Sequence, residues 1–452
     1  MSPSPGVASM LCQRSLCIFM QPLCNKRGFA MESKFDLEVC CLRSLKELEL
    51  KGQRVLMRVD FNVPTDKEGN IIDDTKMRAA LPSIEHVLAQ GGRLILMSHL
   101  GRPNGKIDEK YSLKNLASRL GQLLAAPVYM AHDCIGPEVA QAARGLQDGE
   151  VLLLENLRFH AEEEKNDPAF SRELASLGDI FVNDAFGTAH RAHSSTAGIA
   201  DYLPCYAGFL MEKEVEMLEK VLENPQSPRM AIMGGAKVAD KLGLIGNLLQ
   251  KMDVILIGGG MANTFLKALG KTIGKSICED NLLEQARGLV EEAEKKNVSL
   301  ILPLDAVVAP ELSAEAPGQI VDIDHVPAEL MILDIGPQSI ELFKKYIEKA
   351  STIVWNGPLG VYEYPNFARG TEEITRAIAR SSAVSVIGGG DTAVIVHDMG
   401  LEEGITHIST GGGATLEFLE GIRLPGVAAC QEKAARGIGA ELGQGAPLWE
   451  KS

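Results

Sequence analysis

Residues 54–97 read RVLMRVDFNVPTDKEGNIIDDTKMRAALPSIEHVLAQGGRLILM, with one apolar run at Val55 to Val59, a second at Arg93 to Met97 and amphipathic sequence between them. Short apolar runs alternating with amphipathic stretches of about 10 to 15 residues are the signature of βαβ units and a parallel sheet. The alternation continues along the chain. Further strand candidates are Val151 to Leu154, Ile180 to Val182, Met230 to Met233, Val254 to Ile257, Leu300 to Leu302, Thr352 to Trp355 and Val384 to Ile387. Between the two groups, Gly208 to Asn224 reads as one long amphipathic helix ending at Pro225. The expected fold is α/β: two doubly wound, Rossmann-like parallel-sheet domains joined by an interdomain helix and hinge.

The 452 residues allow two or three cores, and doubly wound domains of about 200 residues favour two. Lys and Arg total 45 against 60 Asp and Glu, a net charge of −15, which argues against nucleic-acid binding or docking on an anionic membrane. Any anionic ligand must be met by local clusters of Arg, Lys and His. No apolar stretch approaches the roughly 18 residues of a membrane span. Nine Cys are present, five of them (Cys12, Cys17, Cys24, Cys40, Cys41) before residue 42, and no CxxC pair occurs. That pattern suits reduced cytosolic thiols. Residues 1–31 contain Arg14, Lys26 and Arg27 but no acid, and form an appendage. A transit peptide, an unprocessed tail and a start upstream of Met31 would all look this way.

In parallel sheets ligands gather beyond the carboxyl ends of the strands. In the first half these positions carry Arg58, Asp60 and Asn62, then Ser98-His99-Leu100-Gly101-Arg102, then Arg158-Phe159-His160, then His190-Arg191-Ala192-His193. One Arg at a strand end is usually a solvated loop residue. Three consecutive strand ends bearing His and Arg, in an acidic chain, fit a small multiply charged acid, because guanidinium forks match carboxylate and phosphate oxygens in pairs. Asp60 and Asn62 would accept from substrate hydroxyls, or Asp60 would simply pair with one of these Arg residues.

The second half has glycine-rich loops: Gly234-Gly235-Ala236-Lys237 running to Lys241, Gly258-Gly259-Gly260, Gly388-Gly389-Gly390-Asp391-Thr392 and Gly411-Gly412-Gly413. Such turns offer backbone N–H groups to phosphate, although a single one would equally suit tight helix–sheet packing. Gly270-Lys271-Thr272 and Gly274-Lys275-Ser276 resemble pieces of a P-loop but lack its spacing. Gly388 to Ala393 satisfies a dinucleotide-binding pattern, which keeps an NAD-dependent dehydrogenase as a competing class; Asp391 inside the turn favours a Mg²⁺-nucleotide instead.

Together RVDFNVP (58–64), SHLGRP (98–103), VNDAFGTAHRAHSS (182–195), GGAKVADK (234–241), VWNGPLG (354–360) and GGGDT (388–392) resemble phosphoglycerate kinase, from about Val39 to Val427. The resemblance implies a monomeric cytoplasmic enzyme, or a plastid one if residues 1–31 are a transit peptide. It implies reversible phosphoryl transfer between 1,3-bisphosphoglycerate and ADP, giving 3-phosphoglycerate and ATP, with Mg²⁺ as cofactor. It divides the chain into an N-terminal domain (32–207) for 3-phosphoglycerate, a connecting helix (208–224), a nucleotide domain (225–420) and a returning segment with a tail (421–452). Asp60, Asn62, Lys76, His99, Arg102, Arg158, His190 and Arg191 would hold the acid. Lys241, Gly258, Asn356, Pro358, Glu363, Gly389, Gly390, Asp391 and Thr392 would hold the nucleotide, with Asp391 on the metal. Lys76, Lys237, Gly389 and Gly412 would act on the transferred group. Lys76 stands where the family places a catalytic Arg, and Arg78, two residues on, points elsewhere on the helix. A poorly catalytic homologue that binds the same ligands is therefore the alternative.

Overall fold

The computed structural model describes residues 42–66, 68–223 and 225–431; the expected N-terminal appendage and the tail after Gln431 lie outside these residues. The first half builds a six-stranded sheet from β1 (Arg54–Arg58), β2 (Arg93–Met97), β3 (Val128–Met130), β4 (Val151–Leu153), β5 (Ile180–Asn183) and β6 (Cys205–Ala207). Their order is β3-β4-β2-β1-β5-β6, and every pairing is parallel. The second half contains β7 (Arg229–Met233), β8 (Val254–Ile257), β9 (Ser299–Ile301), β10 (Asp305–Ala309), β11 (Gln319–Asp322), β12 (Met331–Ile335), β13 (Thr352–Asn356), β14 (Val384–Gly388) and β15 (His407–Ile408). Six of these form a second all-parallel sheet, β15-β14-β13-β7-β8-β9, and the other three an antiparallel one, β11-β10-β12.

Strand alternation explains why helices cover both faces of each sheet, since successive side chains point to opposite sides. On β1, Val55 and Met57 pack with Met77, Ile84 and Val87 of the helix Thr75–Ala89, whereas Leu56 faces the other core. On β7, Met230 and Ile232 meet Phe343, Ile374 and Ile378, whereas Ala231 and Met233 turn to the opposite side. That opposite core is shared by both halves. It runs from Leu56, Ile95 and Phe181 through Met211, Val215 and Leu218 of the helix Phe209–Leu222 to Ala231, Met233 and Ile255. The connecting helix is thus apolar glue between two sheets as well as a tether.

Six strands lie outside the sequence reading: β3, β6 and β15, whose signal is weak, and the antiparallel β10, β11 and β12. β3 is three residues long with Tyr129 48% exposed at its centre, β15 has two residues, and β6 sits between a helical turn and the connecting helix. The P-loop-like fragments have a structural explanation: Gly274 bridges Met331, Lys275 N–H donates to the Leu330 carbonyl at 2.7 Å, and Lys271 pairs with Asp324.

Candidate active site

The loops leaving β1, β2, β4 and β5 meet at one end of the first sheet. Arg58 is fully buried there; its Nε donates to Ser195 Oγ at 2.8 Å and its Nη2 to His99 Nδ1 at 3.1 Å. Burial pushes the guanidinium down to about 10, so it remains charged near neutrality. Arg carries no acceptor, hence His99 Nδ1 accepts and the ring proton sits on Nε2. Burial first, then Arg58, hold His99 neutral, well below its ordinary pKa. Asp60 Oδ2 accepts from Lys76 Nζ at 2.9 Å. Burial opposes ionisation of Asp60, but Lys76 and Arg58 outweigh it and keep the carboxyl below its ordinary value. The partner of Asp60 is therefore Lys76, and not one of the loop arginines.

Asn62 Oδ1 accepts from Gly101 N–H at 2.9 Å, and Arg158 Nη1 donates to the Gly101 carbonyl at 2.9 Å, so two expected ligand residues hold a third loop from either side. Gly101 has φ +61°, a conformation that favours glycine. Arg158 is 9% exposed, whereas Arg102 and Arg191 are exposed. Burial first, then Glu164, Glu163, Arg191 and Arg102, set the balance at Arg158, whose proton affinity is lowered. Three guanidinium groups thus share one region. Beneath them lies a support that sequence reading passed over: Ser195 Oγ donates to Glu163 Oε1 at 2.5 Å and its N–H to Oε2 at 3.0 Å, which links Arg58 to a fully buried carboxylate. Its signal was the run of acids at residues 162–164 opposite the serines that end the HRAHSS segment.

In the second half, β7, β13 and β14 direct their following turns to a common place. Lys241 Nζ donates to the Gly234 carbonyl at 2.5 Å and lies 3.4 Å from the Asn356 carbonyl. Burial pulls its ammonium down to about 8 against the favourable charge of Asp391. A methyl group on Gly357 would come within 2.8 Å of Lys241 Nζ. Asn356 Nδ2 donates to the Gly388 carbonyl at 2.8 Å, and Thr392 Oγ1 accepts from Gly357 N–H at 2.8 Å, so the turn next to Pro358 is knitted to Gly389 and Gly390. Gly389 (φ +97°) opens the helix Gly390–Asp398, with Asp391 exposed in its first turn. Gly258 N–H donates to the Met233 carbonyl at 2.8 Å, which places its turn beside the Gly234 turn. Lys237 and Glu363 are exposed, and no hydrogen bond among the described residues joins either to this group.

The two groups approach each other through residues 186–190 and 410–413. A methyl on Gly187 would lie 2.6 Å from Asp60 Oδ2 and 3.5 Å from the Thr410 carbonyl, and one on Gly413 would lie 3.5 Å from His190 Nε2. Phe186 and Phe418 rings sit 6.4 Å apart. Gly412 adopts φ +51° at the head of the helix Gly413–Leu419. From the connecting helix, buried Glu214 accepts from His407 Nε2 at 2.8 Å and from Thr410 N–H at 2.7 Å, fixing the base of that turn.

A cationic, neutral-histidine surface on one sheet and lysine-bearing glycine turns on another, joined by one helix, define a two-lobed small-molecule phosphotransferase. The phosphoglycerate kinase family model matches residues 45–422. Phosphoglycerate kinases of Pelotomaculum thermopropionicum and Moorella thermoacetica are 54% and 55% identical over 394 and 390 residues, each alignment covering 86% of this chain and 99% of the relative. The phosphoglycerate kinase structure from Coxiella burnetii superimposes with a TM-score of 0.79 at 42% identity, over 86% of this chain and 99% of that one. The Pyrococcus horikoshii OT3 enzyme gives 0.73 at 35%, over 86% and 98%. The chain belongs to the phosphoglycerate kinase family, and its reaction is phosphoryl transfer to the carboxyl group of 3-phosphoglycerate. The dehydrogenase reading is displaced, and the poorly catalytic alternative is not favoured.

Proposed function

We propose that the halves divide this reaction, with 3-phosphoglycerate held in 32–207 and the Mg-nucleotide in 225–420, while 208–224 and 421–452 connect them. The observation that carries this reading is that the Asp60–Lys76–His99–Arg158 group and the Lys241–Asn356–Thr392 group face each other where residues 186–190 approach residues 410–413. Arg102, Arg158 and Arg191 neutralise the acid's phosphate, while Asp60 and Asn62 accept from its hydroxyl and His99 Nε2 and His190 donate. Lys76 and Lys237 meet the transferred group, with Gly389 and Gly412 presenting backbone N–H. Lys241 and the turns at Gly258, Gly390 and Thr392 hold nucleotide phosphates, Asn356 and Pro358 line the pocket, and Glu363 takes the ribose.

Phosphoryl transfer leaves a protein mostly alignment and charge neutralisation to perform. Asp391 suits Mg²⁺: its carboxylate has no hydrogen-bond partner among the described residues, and magnesium typically takes one or two carboxylates plus substrate phosphates and water. Bound there with the nucleotide, the ion would neutralise phosphate charge. Both half-sites come from one chain, which supports a monomer as the working unit, in the cytoplasm or, if residues 1–31 are a transit peptide, in a plastid; among the described residues no helix is long and apolar enough to cross a membrane.

Calorimetric titration of Lys241→Ala tests the division. Nucleotide binding should weaken by about 1.5 to 3 kcal/mol while 3-phosphoglycerate binding stays nearly intact. In the unmodified protein, affinity for nucleotide should fall as pH rises through about 8, where free Lys241 loses its proton, and the variant should lack that slope. Equal loss for both ligands would count against the division.

A further inference from the structure

Cys205 on β6 and Cys430, just beyond the helix Pro425–Ala429, are 225 positions apart in sequence, yet their Sγ atoms lie 3.2 Å from each other. Neither is bonded to another cysteine, and both are buried. The backbone around them is already joined: Arg43 N–H donates to the Cys430 carbonyl at 2.9 Å, Ala207 N–H to the Arg43 carbonyl at 2.7 Å, and Gly426 N–H to the Ala189 carbonyl at 2.8 Å. Leu42 bridges Gln431, and Ser44 bridges Ala207. The segment returning from the second lobe is therefore seated on the first lobe's edge strand, with a thiol on each side of the seam.

We propose that Cys205 and Cys430 form a reversible disulfide clasp that fixes the returning segment to β6 under oxidising conditions. A short closing movement of the two sulfurs suffices, because the neighbouring backbones are already held by hydrogen bonds on both sides. With a small-molecule disulfide as oxidant, one protein thiolate attacks it, releasing one small thiol and forming a mixed disulfide. The second protein thiolate then displaces the other small thiol. Two protein S–H and one external S–S become one protein S–S and two external thiols, the two protons lost by the protein thiols ending on the departing small thiolates.

Location gives the bond its consequence. β6 runs directly into the connecting helix through Gly208, so the clasp would join the chain where it leaves the first lobe to the chain where it returns, closing a covalent loop around the whole second lobe. Cross-links across long loops remove the most freedom from the unfolded chain. Burial holds the Cys205 thiol well above its ordinary pKa, so exchange proceeds when the returning segment lifts and exposes the seam. The thiols are a slow switch that reads sustained oxidation.

The test uses the folded full-length chain in buffers of graded oxidised to reduced glutathione. Free thiols are then blocked, and peptides are mapped by mass without reduction. The expected result is a peptide pair linked through Cys205 and Cys430, a melting temperature higher by about 5 °C, and reversal of both by dithiothreitol. Cys205→Ser and Cys430→Ser should each lose the linkage and the shift while melting normally when reduced. Cys430→Ala serves as a second variant if one serine disturbs the seam. Both thiols remaining free at the most oxidising buffer, or linkage of either to one of the cysteines before residue 42, would overturn the proposal.

Discussion

At the residue scale the sharpest question is Lys76. Its ammonium reaches Asp60 at 2.9 Å and its side chain is 34% exposed, so it stands at the edge of the cationic group with room on its solvent side. In transfer the charge spreads over three equatorial oxygens, and a planar guanidinium can hold two of them where an ammonium acts as a point charge. Lys76→Arg should therefore raise kcat with little change in KM, the pattern of a contact strengthened mainly in the transition state. Steady-state kinetics check this, and an unchanged or lower kcat shows that Lys76 does not limit the rate. At this scale the sequence marked the charged residues at the strand ends and was silent about their supports. Asp60, His99 and Arg158 stood out as charges at strand ends, but the role of Arg58 depends on Ser195, 137 positions away, and no local pattern reveals such a partner. The partner of Asp60, Lys76 on the following helix, is another such case: nothing local singles it out from the arginines at the strand ends.

At the element scale, the connecting helix Phe209–Leu222 is held at its first turn by Asp184. Asp184 Oδ1 accepts from Leu210 N–H at 2.9 Å and Met211 N–H at 3.2 Å, while Oδ2 is buried without a partner. Burial pushes this carboxyl up to about 7 despite those bonds. The unfolded chain releases the proton near pH 4 and the folded chain near pH 7, so between these values the folded state binds more protons and loses stability as pH rises. Asp184→Asn keeps the acceptor and removes the titration. Denaturant unfolding should show the variant improving relative to the unmodified chain by about 2 kcal/mol on going from pH 5 to pH 7. A pH-independent difference would mean that Asp184 ionises normally. The buried parallel strands were legible because their short apolar runs stand out: Val254 to Ile257 and Arg93 to Met97 have the expected bounds. The antiparallel β10, β11 and β12 were not. Their pairing depends on partners brought together by chain reversal, and Gln319–Asp322 is mostly exposed and carries little apolar pattern.

At the scale of the whole molecule, the account rests on two half-sites that meet only when the lobes close. The shared apolar core through Met211, Val215 and Leu218 keeps the lobes attached, while the narrow seam at Gly187, Thr410, His190 and Gly413 brings the half-sites near each other. On the proposed division each ligand alone would touch one side of that seam, so neither could draw the lobes fully together, and an open cleft would leave water as a competing acceptor. Small-angle scattering tests this most directly, with the protein alone, with 3-phosphoglycerate, with Mg-nucleotide and with both. The account predicts a radius of gyration clearly smaller with both ligands than with either one; the same radius in all four samples would contradict it.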